Sequence, residues 1–175
     1  MLKVISLWAG PGAGKSTLAA ALFARMKRLR YKVELVTEFA KDLTYEQSWK
    51  VLGDQMMVLS EQNFRLQRLE GAVEWAITDS PLPLSLIYCK PDQREWIAPV
   101  VKQLWSLYDN YPFVLNRTTA PYQEFGRNQT LIQAKELDDK IHNLATIFGS
   151  MGSLNPEDPV VEDKIIRELN HRRAA

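Results

Sequence analysis

The chain of 175 residues holds one cysteine, Cys89, and two histidines, His142 and His171. A lone thiol excludes an intramolecular disulfide and any cysteine-clustered zinc site, and it fits a reducing compartment. Cys89 reads as a small buried apolar residue, and the two histidines lack ligand spacing. An excess of one charge is also missing, since 22 Lys+Arg against 21 Asp+Glu leave +1. That excludes the whole-protein basic field that drives nonspecific binding to nucleic acid or membranes. The apolar run Val4 to Ala9 is far shorter than the roughly 18 residues of a spanning helix. The start of the chain has no small-residue cleavage pattern, so a cytoplasmic protein is expected. What is present, 46% hydrophobic and 25% charged residues, suffices for a packed core and predicts a single domain over residues 1–175.

Periodicity then orders the elements. Val4 to Trp8 is a short apolar run ending at a Gly/Pro cluster, the pattern of a strand buried on both faces. Leu18, Leu22, Met26 and Leu29 form one stripe of a helix that runs to about Arg30, and Tyr31 to Thr37 predicts a second strand. Strand, helix, strand implies a right-handed parallel crossover. Asp54 to Glu70 lacks Gly and Pro and predicts a long helix, with Gln55 and Gln62 on the same stripe as Leu59, Leu66 and Leu69. Trp75 to Thr78 predicts a third strand, Asp92 to Tyr108 a helix, and Phe113 to Leu115 a fourth strand. A polar stretch from Asn116 to Thr130 is too long for an ordinary connection and reads as a lid. The stripe Ala134, Leu137, Ile141, Leu144 and Phe148 predicts another helix, whose Lys135, Glu136, Asp138, Asp139 and Lys140 read as a solvated face. A weak strand at Ser153-Leu154 and a helix from about Pro159 to Asn170 complete the chain.

The chemistry concentrates between the first strand and the first helix, in Gly10-Pro11-Gly12-Ala13-Gly14-Lys15-Ser16-Thr17. A loop of this kind turns backbone N–H groups toward an anion, its lysine reaches the β/γ-phosphates, and its serine hydroxyl ligates magnesium. Ala9 stands where the consensus GxxxxGK[ST] has its first glycine, a mild change at the mouth of the loop. Asp79 follows the third strand, where such proteins place a carboxylate in the magnesium shell. Glu38 follows the second strand and is a candidate proton acceptor for an attacking hydroxyl, with a helix-capping glutamate as the competing reading. Gln55 and Gln62 are candidate readers of a heteroaromatic ring, with buried structural amides as the alternative. In the lid, Arg127 and, less strongly, Arg117 are placed to neutralise a phosphoryl group in transfer, and Gly126 would let the loop close.

With these residues the chain resembles the small P-loop kinases. More narrowly it resembles the group related to the nicotinamide-riboside kinase domain of NadR, with its phage and bacterial members. The likeness rests on Ala9 to Thr17, Val36 to Leu43, Asp54-Gln55, Glu61-Gln62, Thr78 to Pro81, Tyr122, and Gly126 to Gln129. Deoxynucleoside kinases are similar in placing a glutamate after the second strand as base and a glutamine of the next long helix against the nucleobase, as Glu38 and Gln55 would be. Where they carry Glu-Arg-Ser, this chain has Asp79-Ser80-Pro81.

The resemblance implies a three-layer, parallel-sheet α/β P-loop fold with an arginine-containing lid at about 116–130. It implies ATP and Mg2+ as cofactors and transfer of the γ-phosphate to a hydroxyl of a nucleoside-like or nucleotide small molecule. No membrane partner is expected, and a homodimer is allowed. A DNA acceptor is the second reading, for which Lys27, Arg28, Arg30 and Lys32 would supply the basic surface. A nucleotide-switched binding module is the third.

Overall fold

The computed structural model describes residues 1–122 and 129–174. Among these, strands β1 (Lys3–Trp8), β2 (Val33–Val36), β3 (Trp75–Thr78), β4 (Asp109–Leu115) and β5 (Ser153–Leu154) form a sheet in the order β2-β3-β1-β4-β5. Every neighbouring pair is parallel. The helices are α1 (Lys15–Arg28), α2 (Phe39–Tyr45), α3 (Trp49–Leu52), α4 (Gln55–Gln67), α5 (Ser85–Tyr88), α6 (Arg94–Trp105), α7 (Leu131–Ile147) and α8 (Val161–Ala174). None of them is long and apolar enough to cross a membrane.

Alternation along the strands builds two cores. Ile5 and Leu7 of β1 pack with Leu18, Leu22 and Met26 of α1 and with Ile165 and Leu169 of α8. Val4 and Trp8 face the other way, onto Leu59 and Leu66 of α4, Ile97 and Val101 of α6, and Ile141 and Leu144 of α7. The result is the three-layer architecture expected from the sequence. Its sheet order places the ends of β1 and β3 side by side, so the loop after β1 and Asp79 after β3 meet at one edge.

Boundaries moved where backbone chemistry overrides pattern. α1 stops at Arg28 because Arg30 adopts φ +66 and lets the Tyr31 N–H reach back to the Met26 carbonyl at 3.1 Å. β4 begins at Asp109, earlier than the apolar triplet Phe113 to Leu115, and includes Pro112. The Pro112 carbonyl accepts from Met151 on the β5 side. The missing N–H of Pro112 therefore faces the same side, beyond the two-residue β5, where no ladder bond is broken. Within residues 39–53 lie α2 and α3, of 7 and 4 residues, too short for a stripe of apolar positions to mark them in the sequence.

Candidate active site

The loop after β1 curls through two left-handed glycines, Gly12 at φ +77 and Gly14 at φ +89, the second of which opens α1. A side chain at either would be strained. Ala9 is buried among the apolar residues beneath α1. Its methyl lies in the core rather than at the mouth of the loop, which explains why alanine is accepted there. The Lys15 Nζ donates to the carbonyls of Ala9 (2.8 Å) and Gly10 (3.0 Å). An ammonium has three N–H donors, so one remains for a ligand. Burial holds Lys15 below the ordinary lysine range, against the pull of the Glu38, Asp79 and Asp138 charges.

Ser16 Oγ donates to Asp79 Oδ2 at 2.5 Å. Asp79 is 4% exposed, and its Oδ1 is buried with no hydrogen-bond partner among the described residues. A buried carboxylate oxygen without a donor, beside a serine hydroxyl at a phosphate loop, fits a cation. No group of three His, Cys, Asp or Glu gathers among the described residues. A metal here would therefore be held by Ser16, Asp79, water and substrate oxygens, the arrangement Mg2+ favours.

Glu38 occupies the residue before α2, but its side chain makes no capping bond. Gln62 does that work instead. Its Oε1 accepts from the Phe39 N–H at 3.0 Å, and its Nε2 donates to the Thr37 carbonyl (3.3 Å) and Thr78 Oγ1 (3.4 Å). Gln62 is 2% exposed and thus ties the β2–α2 turn to β3. This departs from the expectation that it reads a ring, because its amide is already engaged on both sides. The freed Glu38 carboxylate faces a cavity of about 490 Å³ that it shares with Lys15, Ser16, Lys41, Trp49, Gln55 and Tyr88. Burial raises its pKa above the usual carboxylate value; Lys15 opposes that and Asp79 adds to it. Replacing Gln62 by leucine should strand the Phe39 N–H and destabilise the protein by about 1–3 kcal/mol, read as a lower urea midpoint. An unchanged midpoint would remove this holding role.

Gln55 keeps more of its capacity. It is 6% exposed, and its Nε2 donates to the Leu52 carbonyl at 3.0 Å, while no partner for its Oε1 occurs among the described residues. Trp49, on α3, is about half exposed and lines the same cavity. Tyr88, at the end of α5, has its phenol pushed up by burial and by the Glu38 charge. Sequence reasoning missed both aromatics, which lie on short elements that periodicity does not mark.

Arg117 departs from its expected place. Its Nε and Nη2 bind Asp138 Oδ2 (2.8 Å) and Oδ1 (2.9 Å), and its Nη1 donates to the Pro11 carbonyl at 2.9 Å. It grips the phosphate loop from outside rather than reaching across it. Asp138, expected on a solvated face, is accordingly part of an ion pair. Gly126 and Arg127 lie outside the described residues. The basic residues Lys27, Arg28, Arg30 and Lys32 gather at the far end of α1, whose 14 residues span about 21 Å from the phosphate loop. They stand too far away to line an acceptor at Glu38.

A family profile described as an AAA domain matches residues 4–151. No curated protein matches the sequence. Among solved structures, NadR in complex with NR is similar with a TM-score of 0.65 at 15% identity, covering 90% of this chain and 46% of that one. The chain thus spans about half the length of NadR. The deoxyadenosine kinase from M. mycoides with bound dATP is similar at a TM-score of 0.61 and 16% identity, covering 97% of this chain and 100% of that one. At these identities the likeness is one of fold, and it joins the two groups that the motifs pointed to.

Proposed function

Since the chain belongs to the AAA domain family, with its phosphate loop on a kinase-type parallel sheet, we propose that it is an ATP-dependent phosphotransferase acting on a nucleoside-like small molecule. The observation that carries this reading is Glu38: a carboxylate with no hydrogen bond among the described residues, in one cavity with the phosphate-loop lysine and with Ser16, the partner of Asp79. A protein that only binds ATP needs no such base, and one that only hydrolyses it needs no acceptor-sized hollow beside the base.

The reaction follows from the placement. Lys15 and the loop amides hold the β- and γ-phosphates. Ser16 and Asp79 would hold Mg2+, which would neutralise charge on the phosphate oxygens. Glu38 takes the proton of the acceptor hydroxyl as its oxygen attacks the γ-phosphorus; the bond to the β–γ bridging oxygen breaks and ADP leaves. An elevated carboxyl pKa suits this, because it strengthens the base. Trp49 offers a ring face and Gln55 a free carbonyl oxygen, which together suit a planar base with a donor edge. Lys15 and Lys41 are the cations among the described lining residues, with no arginine beside them. A nucleoside fits that wall better than a monophosphate, which needs a dedicated anion site.

The test is transfer from γ-labelled Mg-ATP to nucleosides, nucleoside monophosphates, nicotinamide riboside and short DNA, with Lys15→Ala as the blank. Label in a nucleoside is expected; label in DNA alone, or release of free phosphate alone, would overturn the reading. Asp79→Asn should raise the Mg2+ concentration for half-maximal transfer by roughly 10- to 100-fold, measured by magnesium titration at fixed ATP. An unshifted titration would take Asp79 out of the metal site.

A further inference from the structure

The consensus of the phosphate loop leaves the residue after Ala9 unspecified, yet this chain has Gly10 there. A Cβ on Gly10 would stand 2.5 Å from Asp138 Oδ1 and 2.7 Å from the Ala134 carbonyl oxygen of α7. Glycine is demanded here by the approach of a helix, not by phosphate. On that contact Asp138 Oδ1 accepts from the Gly10 N–H at 2.9 Å. The same carboxylate holds Arg117 through two bonds, and Arg117 in turn donates to the Pro11 carbonyl. Two successive loop residues are thus gripped by one ion pair, whose side chains are 16% (Arg117) and 30% (Asp138) exposed.

The grip reaches the reactive lysine. Lys15 Nζ rests on the carbonyls of Ala9 and Gly10. The Gly10 residue therefore links Asp138, at its N–H, to Lys15, at its C=O. Bidentate carboxylate–guanidinium pairs are rigid and directional, which a flexible glycine loop is not. The pair is also internally neutralised. A lone carboxylate this close to the loop would repel a polyphosphate, and the guanidinium cancels that field.

We propose that Asp138 and Arg117 are positioning residues for the phosphate loop, fixing Gly10 and Pro11 so that the third N–H of Lys15 is held toward a nucleoside di- or triphosphate. The proposal rests on the nucleotide-binding reading above and assigns neither residue a contact with substrate. Its consequence is selective. AMP lacks the phosphates that Lys15 reaches, so loss of the clamp weakens binding of ADP and not of AMP.

The experiment is calorimetric titration of MgADP and AMP into wild type, Asp138→Ala and Asp138→Asn. Alanine removes the acceptor for Gly10, whereas asparagine keeps one carbonyl oxygen for it and removes the charge. Asp138→Ala should weaken MgADP binding by about tenfold, the loss of a hydrogen bond to a charged group, with AMP unchanged. Asp138→Asn should recover most of that loss. Wild-type affinity in Asp138→Ala overturns the proposal, as does equal loss in both variants, which would mean charge rather than position. Parallel loss of ADP and AMP would also overturn it, marking a general structural effect. If Asp138→Ala does not fold, the double variant Arg117→Ala, Asp138→Asn releases the Pro11 carbonyl without leaving a lone carboxylate and is read for ADP against AMP by the same criteria. A wild type that binds neither nucleotide would instead strike the underlying functional reading.

Discussion

Replacing Lys15 by alanine is expected to cut phosphoryl transfer by roughly 10²- to 10³-fold, the usual loss when one preorganised donor to a developing oxyanion is removed. The ammonium already rests on the Ala9 and Gly10 carbonyls, so little reorganisation accompanies its contact with phosphate. A second effect accompanies the first. Lys15 is the strongest opponent of the burial that raises the Glu38 pKa. Without it Glu38 should titrate higher still, and the residual activity should show its acid limb displaced toward higher pH. A pH–rate profile of kcat/KM for the variant checks this. A limb in the wild-type place would mean that the two groups do not communicate, and near wild-type transfer would refute the role of Lys15.

Glu38→Gln should lower kcat by roughly 10²- to 10⁴-fold, the range that a positioned general base supplies, while MgADP binding stays intact. Stability should move the other way. For a carboxyl whose folded pKa lies above its unfolded value, the contribution to stability is complete below the unfolded value and is lost as pH rises through the folded one. At neutral pH the wild type therefore bears the cost of a group whose charged form the hollow disfavours, and the glutamine variant does not. The variant should melt higher than wild type at pH 7 and no higher near pH 4, where both carry an uncharged group. Scanning calorimetry at the two values decides it. Equal melting temperatures at pH 7 would mean that Glu38 is solvated, and undiminished transfer would remove it as base.

The loop from Gly10 to Thr17, the strands beneath it and the carboxylate after β3 were legible in the sequence because each depends on contiguous residues. A strand followed by glycines, a lysine and a helix leaves the backbone few other courses. β3 was found over its full length, as its four residues are all buried and bounded by Asp79 and Pro81. The amide stripe on α4 was legible too, but not the division of labour within it. Gln62 and Gln55 are alike in sequence; only packing against the β2–α2 turn engages one and leaves an oxygen of the other free. The exposed aromatic at Trp49 and the phenol of Tyr88 sit on elements of 4 residues each, below the length at which periodicity carries information.

What the sequence by itself determined was the order of the strands and the longer helices, the phosphate loop and the side of the sheet on which chemistry could occur. Local pattern suffices for these, since burial periodicity and glycine conformations act over a few residues. The tertiary structure alone decided that Glu38 is uncapped and turned to the cavity, and that Arg117 and Asp138 hold the loop. These pairings join residues 21 to 128 positions apart. An ion pair between Arg117 and a residue in a charged helical run has no local signature. It exists because α7 packs close enough to Gly10 to leave no room for a side chain.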